Sequence, residues 1–168
     1  MPTRMDSMMS KGAGVVKGVK ARLDGLVGVF RTLAEQHTEV STLLKRLQDK
    51  PERRSELWPE IRRELLSHER GEIREVYPVL RQHVALRALA DHHDQEAAEL
   101  ERLIDRIDLA STDAWRVLYD QLVDTVIAHA TEEETAIFPK AQEAIGDQQA
   151  KELDGRFLAA QKQAATSA

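Results

Sequence analysis

The chain contains no cysteine, which excludes disulfides, thiolate metal sites, iron–sulfur clusters and a cysteine nucleophile. Any metal it holds must be bound through nitrogen and oxygen. Apolar runs extend only a few residues, and the N-terminal stretch is broken by Gly12, Gly14, Lys17, Gly18 and Lys20. Neither a signal-peptide core nor a membrane span is therefore predicted, and a soluble cytoplasmic protein is the expectation. Basic charge is also in deficit: 24 Lys and Arg stand against 29 Asp and Glu, a formal charge of −5. That balance disfavours a nucleic-acid partner, whose phosphates call for a basic face. Gly-rich phosphate loops and Ser-His-Asp arrays are missing as well. The 168 residues have room for one domain that buries roughly two thirds of its unfolded surface.

Aromatics make up only 4% of the chain, and five prolines and eight glycines punctuate it. Between them lie long stretches of Ala, Leu, Glu, Gln, Lys and Arg without alternating β-branched residues, so the fold class is all-α. Leu26, Phe30, Leu33, His37, Val40, Leu44 and Leu47 recur at steps of three and four before Pro51, the stripe of a helix facing a bundle core. A second helix, with Ser55 as candidate N-cap, aligns Leu57, Ile61, Leu65, His68, Glu72, Val76 and Val79, and Pro78 kinks or closes it. Leu86, Leu89, His93, Glu96, Leu100, Leu103 and Ile107 form the third stripe. Ser111 and Thr112 mark a turn and a new N-cap, and Trp115, Leu118, Leu122, Val126, His129, Glu133 and Ile137 lead the fourth helix to Pro139.

Short turns between long helices favour an up-down-up-down four-helix bundle. Its expected span is residues 16–140, preceded by a flexible arm at 1–15 and followed at 141–168 by a short helix across a bundle end and a tail. Each stripe carries one histidine: His37, His68, His93 and His129. The other two, His83 and His92, fall off the stripes and are expected at the surface. The midpoints of 37 and 68 and of 93 and 129 fall at Pro51 and Ser111, so each antiparallel pair meets at one height. At a rise of about 1.5 Å per residue, the four rings share a layer roughly 20–27 Å from the turns.

The second and fourth helices repeat a motif: His68 and Glu72 precede Val76-Tyr77-Pro78, and His129 and Glu133 precede Ile137-Phe138-Pro139. Residues four apart share a helix face, so each His-Glu pair can reach one metal or one of a close pair. Four buried imidazoles and two buried carboxylates are costly without a cation, and the carboxylates repel each other. Imidazole with carboxylate and no thiolate suits iron, manganese or zinc, and facing carboxylates suit a two-metal centre. Glu69, Glu132 and Glu134 read as surface charges, Tyr77 and Phe138 as plugs at the bundle end, and Trp58 and Trp115 as packing.

The two HxxxE motifs with their following aromatic-Pro, accompanied by His37 and His93, resemble the hemerythrin-like (HHE cation-binding) domain over about residues 30–140. The resemblance implies a non-haem di-iron site with His37, His68, His93 and His129 as terminal ligands and Glu72 and Glu133 as bridges. Typical hemerythrins carry another histidine four residues after the one at 93, where this chain has Ala97. Glu96 then becomes a possible extra ligand or an acceptor for an imidazole N–H. The family's usual fourth-helix spacing points to Glu134, whereas the internal symmetry favours Glu133.

By resemblance, the centre binds O2 or a related small ligand for sensing, storage or detoxification. The alternatives are an enzyme acting on peroxide or nitric oxide, with Tyr77 as a possible proton or redox relay, and a metal-stabilised scaffold that recruits a partner. Monomer and homo-oligomer are equally compatible with the sequence.

Overall fold

The computed structural model describes residues 23–168, so the N-terminal arm expected at 1–15 lies outside the described residues. Helix α1 spans Val29–Asp49, and a 3₁₀ turn at Pro51–Arg53 leads into α2, Arg54–Gly71. A π-helical segment at Glu72–Val76 continues into α3, Tyr77–Arg81. After a 3₁₀ turn at Val84–Leu86 come α4, Arg87–Asp108, and α5, Thr112–Glu132. A second π segment at Glu133–Ile137 runs into α6, Phe138–Ile145, and α7, Asp147–Ala165, comes last. No strand occurs among the described residues.

Four antiparallel rods form the bundle: α1, α2 with α3, α4, and α5 with α6. Trp58 near the start of α2 donates to Asp108 at the end of α4, while Arg81 at the end of α3 reaches Asp91 and Asp94 early in α4. Likewise Gln48 late in α1 donates to Asp120 early in α5, and His37 lies against Glu134 just after α5. Ser111 caps α5 as expected, its hydroxyl accepting from the Ala114 N–H. Ser55 does not cap α2: that helix grows directly out of the Pro51 turn with Arg53 in the cap position. The proline already sets the first φ of the turn, so no side-chain cap is needed there.

Helix α7 differs from the short end-piece expected, being 19 residues long and lying along α1 and α2. Two glycines let it approach. Gly28 adopts φ 57°, and a Cβ there would stand 2.4 Å from the backbone of Ala150. A Cβ on Gly71 would strike the Phe157 ring at 2.7 Å. Leu158, by contrast, faces solvent.

The core is two aliphatic and aromatic clusters separated by a polar layer. One gathers Phe30, Leu33, Val76, Tyr77, Ile137, Phe138 and Phe157. The other gathers Val40, Leu44, Leu65, Leu100, Trp115, Tyr119 and Val126. Trp58 and Trp115 pack in this second cluster against Tyr119, as packing residues should.

Candidate metal centre

His37, His68, His93, His129, Glu72 and Glu133, six residues from four rods, are buried together between the two clusters. The rings of His37 and His68 are 5.0 Å apart, and those of His93 and His129 are 5.1 Å apart. These are the two level pairs that the turn positions predict.

Each carboxylate of the repeated motif starts a π segment. The amide of Tyr77 bonds to the carbonyl of Glu72, and that of Phe138 to the carbonyl of Glu133, five residues back in both cases. Pro78 and Pro139 supply the physical cause: neither can donate, and each ring crowds the carbonyl one turn earlier, so the turn widens. The extra residue rotates the downstream turn, so that the adjacent pairs Val76-Tyr77 and Ile137-Phe138 both face inward. The aromatic-Pro repeat in the sequence is the local signature of this widened turn.

Every imidazole presents Nε2 to a carboxylate. His37 Nε2 lies 3.1 Å from Glu133 Oε2, and His68 Nε2 lies 3.5 Å from Glu72 Oε2. His93 Nε2 is 3.3 Å from Glu72 and 3.4 Å from Glu133, and His129 Nε2 is 3.6 Å from Glu133. Glu72 and Glu133 thus stand between the two histidine pairs.

Three of the four outer nitrogens have acceptors instead, and the fourth, His93 Nδ1, is buried without a hydrogen bond. His37 Nδ1 donates to Glu134 at 3.0 Å, His68 Nδ1 to the Gln36 amide oxygen at 2.9 Å, and His129 Nδ1 to Glu96 at 3.0 Å. Such bonds fix the tautomer and leave the inner nitrogen's lone pair for a cation. Glu96 thus lies against His129 Nδ1 and Glu134 against His37 Nδ1, both outside the layer. Gln36 is itself paired with Gln161 of α7 through two amide bonds, at 2.9 and 2.8 Å.

Glu69 departs from the surface role expected of it. It is buried, with its oxygens 3.5 Å from His93 Nε2 and 3.4 Å from His129 Nε2. Helix α2 is covered on two sides, so Leu65 through Glu69 are all buried and a single stripe under-describes its inner face. His68 turns toward α1 and α7 while Glu69 turns toward α4 and α5. At Ala97 the small side chain borders a cavity of about 260 Å³ reaching Glu96 and His129.

Two donor groups emerge. Glu69, Glu72, His93 and His129 each bring one ligand atom within 4.8 Å of the others, and so do His37, His68 and Glu133. His92 joins only a surface grouping with Glu96 and Glu132, and His83 joins none among the described residues. Inside the layer, Nε2 of His37, His68 and His129 and one oxygen each of Glu69, Glu72 and Glu133 are buried without a hydrogen bond. Unpaired buried donors and acceptors of this kind are expensive unless a cation gathers them, so the residues fit a metal.

Electrostatics agree. Burial, reinforced by the charge on Glu133, pushes Glu72 up to about 8. Burial and the neighbouring His37 hold His68 down at about 4. Burial would also lower His37 and His93, but contacts with Glu133 and Glu134 hold the first up at about 9, and contacts with Glu69 and Glu72 hold the second up at about 11. Without a cation the layer neutralises itself with protons; divalent ions would replace them.

The two flanks of the layer differ. On one, Tyr77 stacks 3.5 Å from His93 and donates its hydroxyl to Glu133 at 2.5 Å, while Phe138 stacks on His37. Tyr77 is thus part of the site and more than a plug. On the other flank a cavity of about 510 Å³ reaches His37, His68, Glu69 and His129.

An interior layer of imidazoles and carboxylates across a four-rod bundle defines a cation-binding helical bundle. The chain belongs to the hemerythrin HHE cation-binding domain family, whose family model matches residues 28–141. Searches of curated proteins and of solved structures returned no match. Among the described residues no helix is long and apolar enough to cross a membrane.

Proposed function

We propose that the protein is a non-haem di-iron protein of the cytoplasm that binds O2 or a related small ligand. The observation that carries this reading is the placement of Glu72 and Glu133 between two histidine pairs, which supplies two adjacent donor groups. His37 and His68 would hold one ion, His93, His129 and Glu69 the other, with Glu72 and Glu133 shared. Iron bound there supplies reversible electron transfer to an oxygen-containing ligand. The chain's own part is to orient the imidazoles through Glu134, Gln36 and Glu96, and to exclude water on the aromatic flank with Tyr77 and Phe138.

Turnover of peroxide or nitric oxide is the second reading, and Tyr77 favours it. Its hydroxyl, held by a hydrogen bond to Glu133, lies beside the donor groups, where burial and the nearby carboxylates keep it protonated as a hydrogen-bond donor. Optical spectra of the iron-loaded protein with O2, peroxide and nitric oxide, combined with consumption assays, separate the two. A reversible spectral change without net consumption supports binding, whereas sustained consumption supports catalysis.

A further inference from the structure

His93 is the one imidazole of the layer whose outer nitrogen has no hydrogen bond. The residue is fully buried, so bulk water does not reach Nδ1. Its inner nitrogen faces three carboxylates: Glu69 at 3.5 Å, Glu72 at 3.3 Å and Glu133 at 3.4 Å. A cation gathered among those carboxylates takes the Nε2 lone pair, and the ring proton then sits on Nδ1. A buried N–H without an acceptor is costly, so Nδ1 calls for a partner of its own.

Asp94 stands in that place. Its Oδ1 lies 3.5 Å from His93 Nδ1 and is likewise buried without a hydrogen bond. Two unpaired groups of opposite sense thus face each other, and a shift of about 0.5 Å joins them in a hydrogen bond. The other oxygen, Oδ2, accepts from Nη2 of Arg81, whose Nε donates to Asp91 one turn earlier on α4. Arg81 ends α3, so a second rod fixes the Asp94 carboxylate from outside and leaves Oδ1 for the layer. The imidazole is held against the face of Tyr77, with 3.5 Å between ring centroids and 9° between planes. Stacking sets the plane of the ring and leaves its tautomer to Asp94.

We propose that Asp94, clamped by Arg81, is the positioning residue of His93: its Oδ1 accepts from Nδ1–H and keeps the Nε2 lone pair turned to the metal. With it, all four imidazoles have an outer acceptor, namely Glu134, Gln36, Asp94 and Glu96. An anionic acceptor also strengthens the imidazole as a donor, which favours ferric over ferrous iron and lowers the midpoint potential. The proposal rests on the metal reading and adds to it what orients the most deeply buried imidazole.

Asp94→Asn is isosteric, but its one carbonyl oxygen cannot serve both Arg81 and His93. In full-length protein loaded anaerobically with ferrous iron, this variant should lose about 10–100-fold in metal affinity by chelator competition and show a raised midpoint potential. Arg81→Met breaks the same contact between α3 and α4 yet leaves Asp94 to accept from His93, so its affinity and potential should stay near those of the wild type. Zinc-loaded wild-type protein, which is diamagnetic, should show a His93 Nδ1 proton far downfield of a free imidazole N–H in the NMR spectrum, and this measurement decides even if a variant fails to fold. Unchanged affinity and potential in Asp94→Asn, an equal loss in Arg81→Met, or a His93 Nδ1 proton at the free-imidazole shift would overturn the proposal and leave the metal reading standing. Wild-type protein that takes up neither iron nor zinc contradicts both.

Discussion

Tyr77 and Glu133 meet across the bundle, the phenol hydroxyl donating to a fully buried carboxylate at 2.5 Å. Tyr77→Phe keeps the ring stacked on His93 but removes a donor from a carboxylate that cannot reach water. We expect a loss of about 1–3 kcal/mol in the metal-free protein, measured by urea unfolding with an unchanged slope. A cost near zero would mean that the hydroxyl is not needed to satisfy Glu133.

His68→Ala or His129→Ala removes an inner donor from one of the two groups and should cost at least half of the bound metal. His83→Ala, outside both donor groups, should cost none. Elemental analysis of the three purified variants decides, and undiminished metal in both core variants would sink the ligand assignment.

Gln161 lies outside the segment matched to the family, yet it pairs with Gln36, whose amide oxygen accepts from His68. Gln36→Leu removes the acceptor that fixes the ring and should weaken metal affinity by about 10–100-fold. Gln161→Leu should produce a smaller loss, because His68 keeps its acceptor. Competition with a chromophoric chelator measures both, and unaltered affinities for both variants would deny the Gln36–Gln161 pair any influence on the site.

The pH dependence of the metal-free fold stems from the shifted histidines. His37 and His93, raised from 6.5 to about 9 and about 11, contribute stability fully present below pH 6.5 and lost as pH rises through those values. Glu133 and Glu69, both lowered, act oppositely: their contribution is present above 4.5 and lost as pH falls. The melting temperature of metal-free protein should therefore decline from pH 6.5 to pH 10. Metal-loaded protein, whose imidazoles are already neutral ligands, should hold its melting temperature over that range and lose it toward acid as protons displace the metal. Parallel curves for the two forms would contradict this account.

Most of the bundle was legible because its helices obey one rule. Leu26 through Leu47 and Leu57 through Val79 are buried at every stripe position, and the symmetric turns at Pro51 and Ser111 bring the histidines level without knowledge of any contact. Glu69 was not legible, since a stripe assumes one inner face and α2 has two once α7 packs against it. The π segments escaped a reading by helical period, which has no place for an inserted residue, although the repeated aromatic-Pro marked them. Helix α7 was foreseen as a helix, but its seat depended on Gly28 and Gly71, whose role appears only when Ala150 and Phe157 arrive from far along the chain. The outer acceptors divide similarly: Glu96 lay on a stripe, while Gln36 and Glu134 sit beside one and are drawn in by the imidazoles.

The central claim is that the buried layer is a two-iron centre. Its most direct test is the metal content of anaerobically purified full-length protein, read together with its optical spectrum on admitting O2. The account predicts two irons per chain and a new visible absorption on oxygenation. Protein that folds with no metal or with a single ion, or that binds zinc and shows no response to O2, would contradict it.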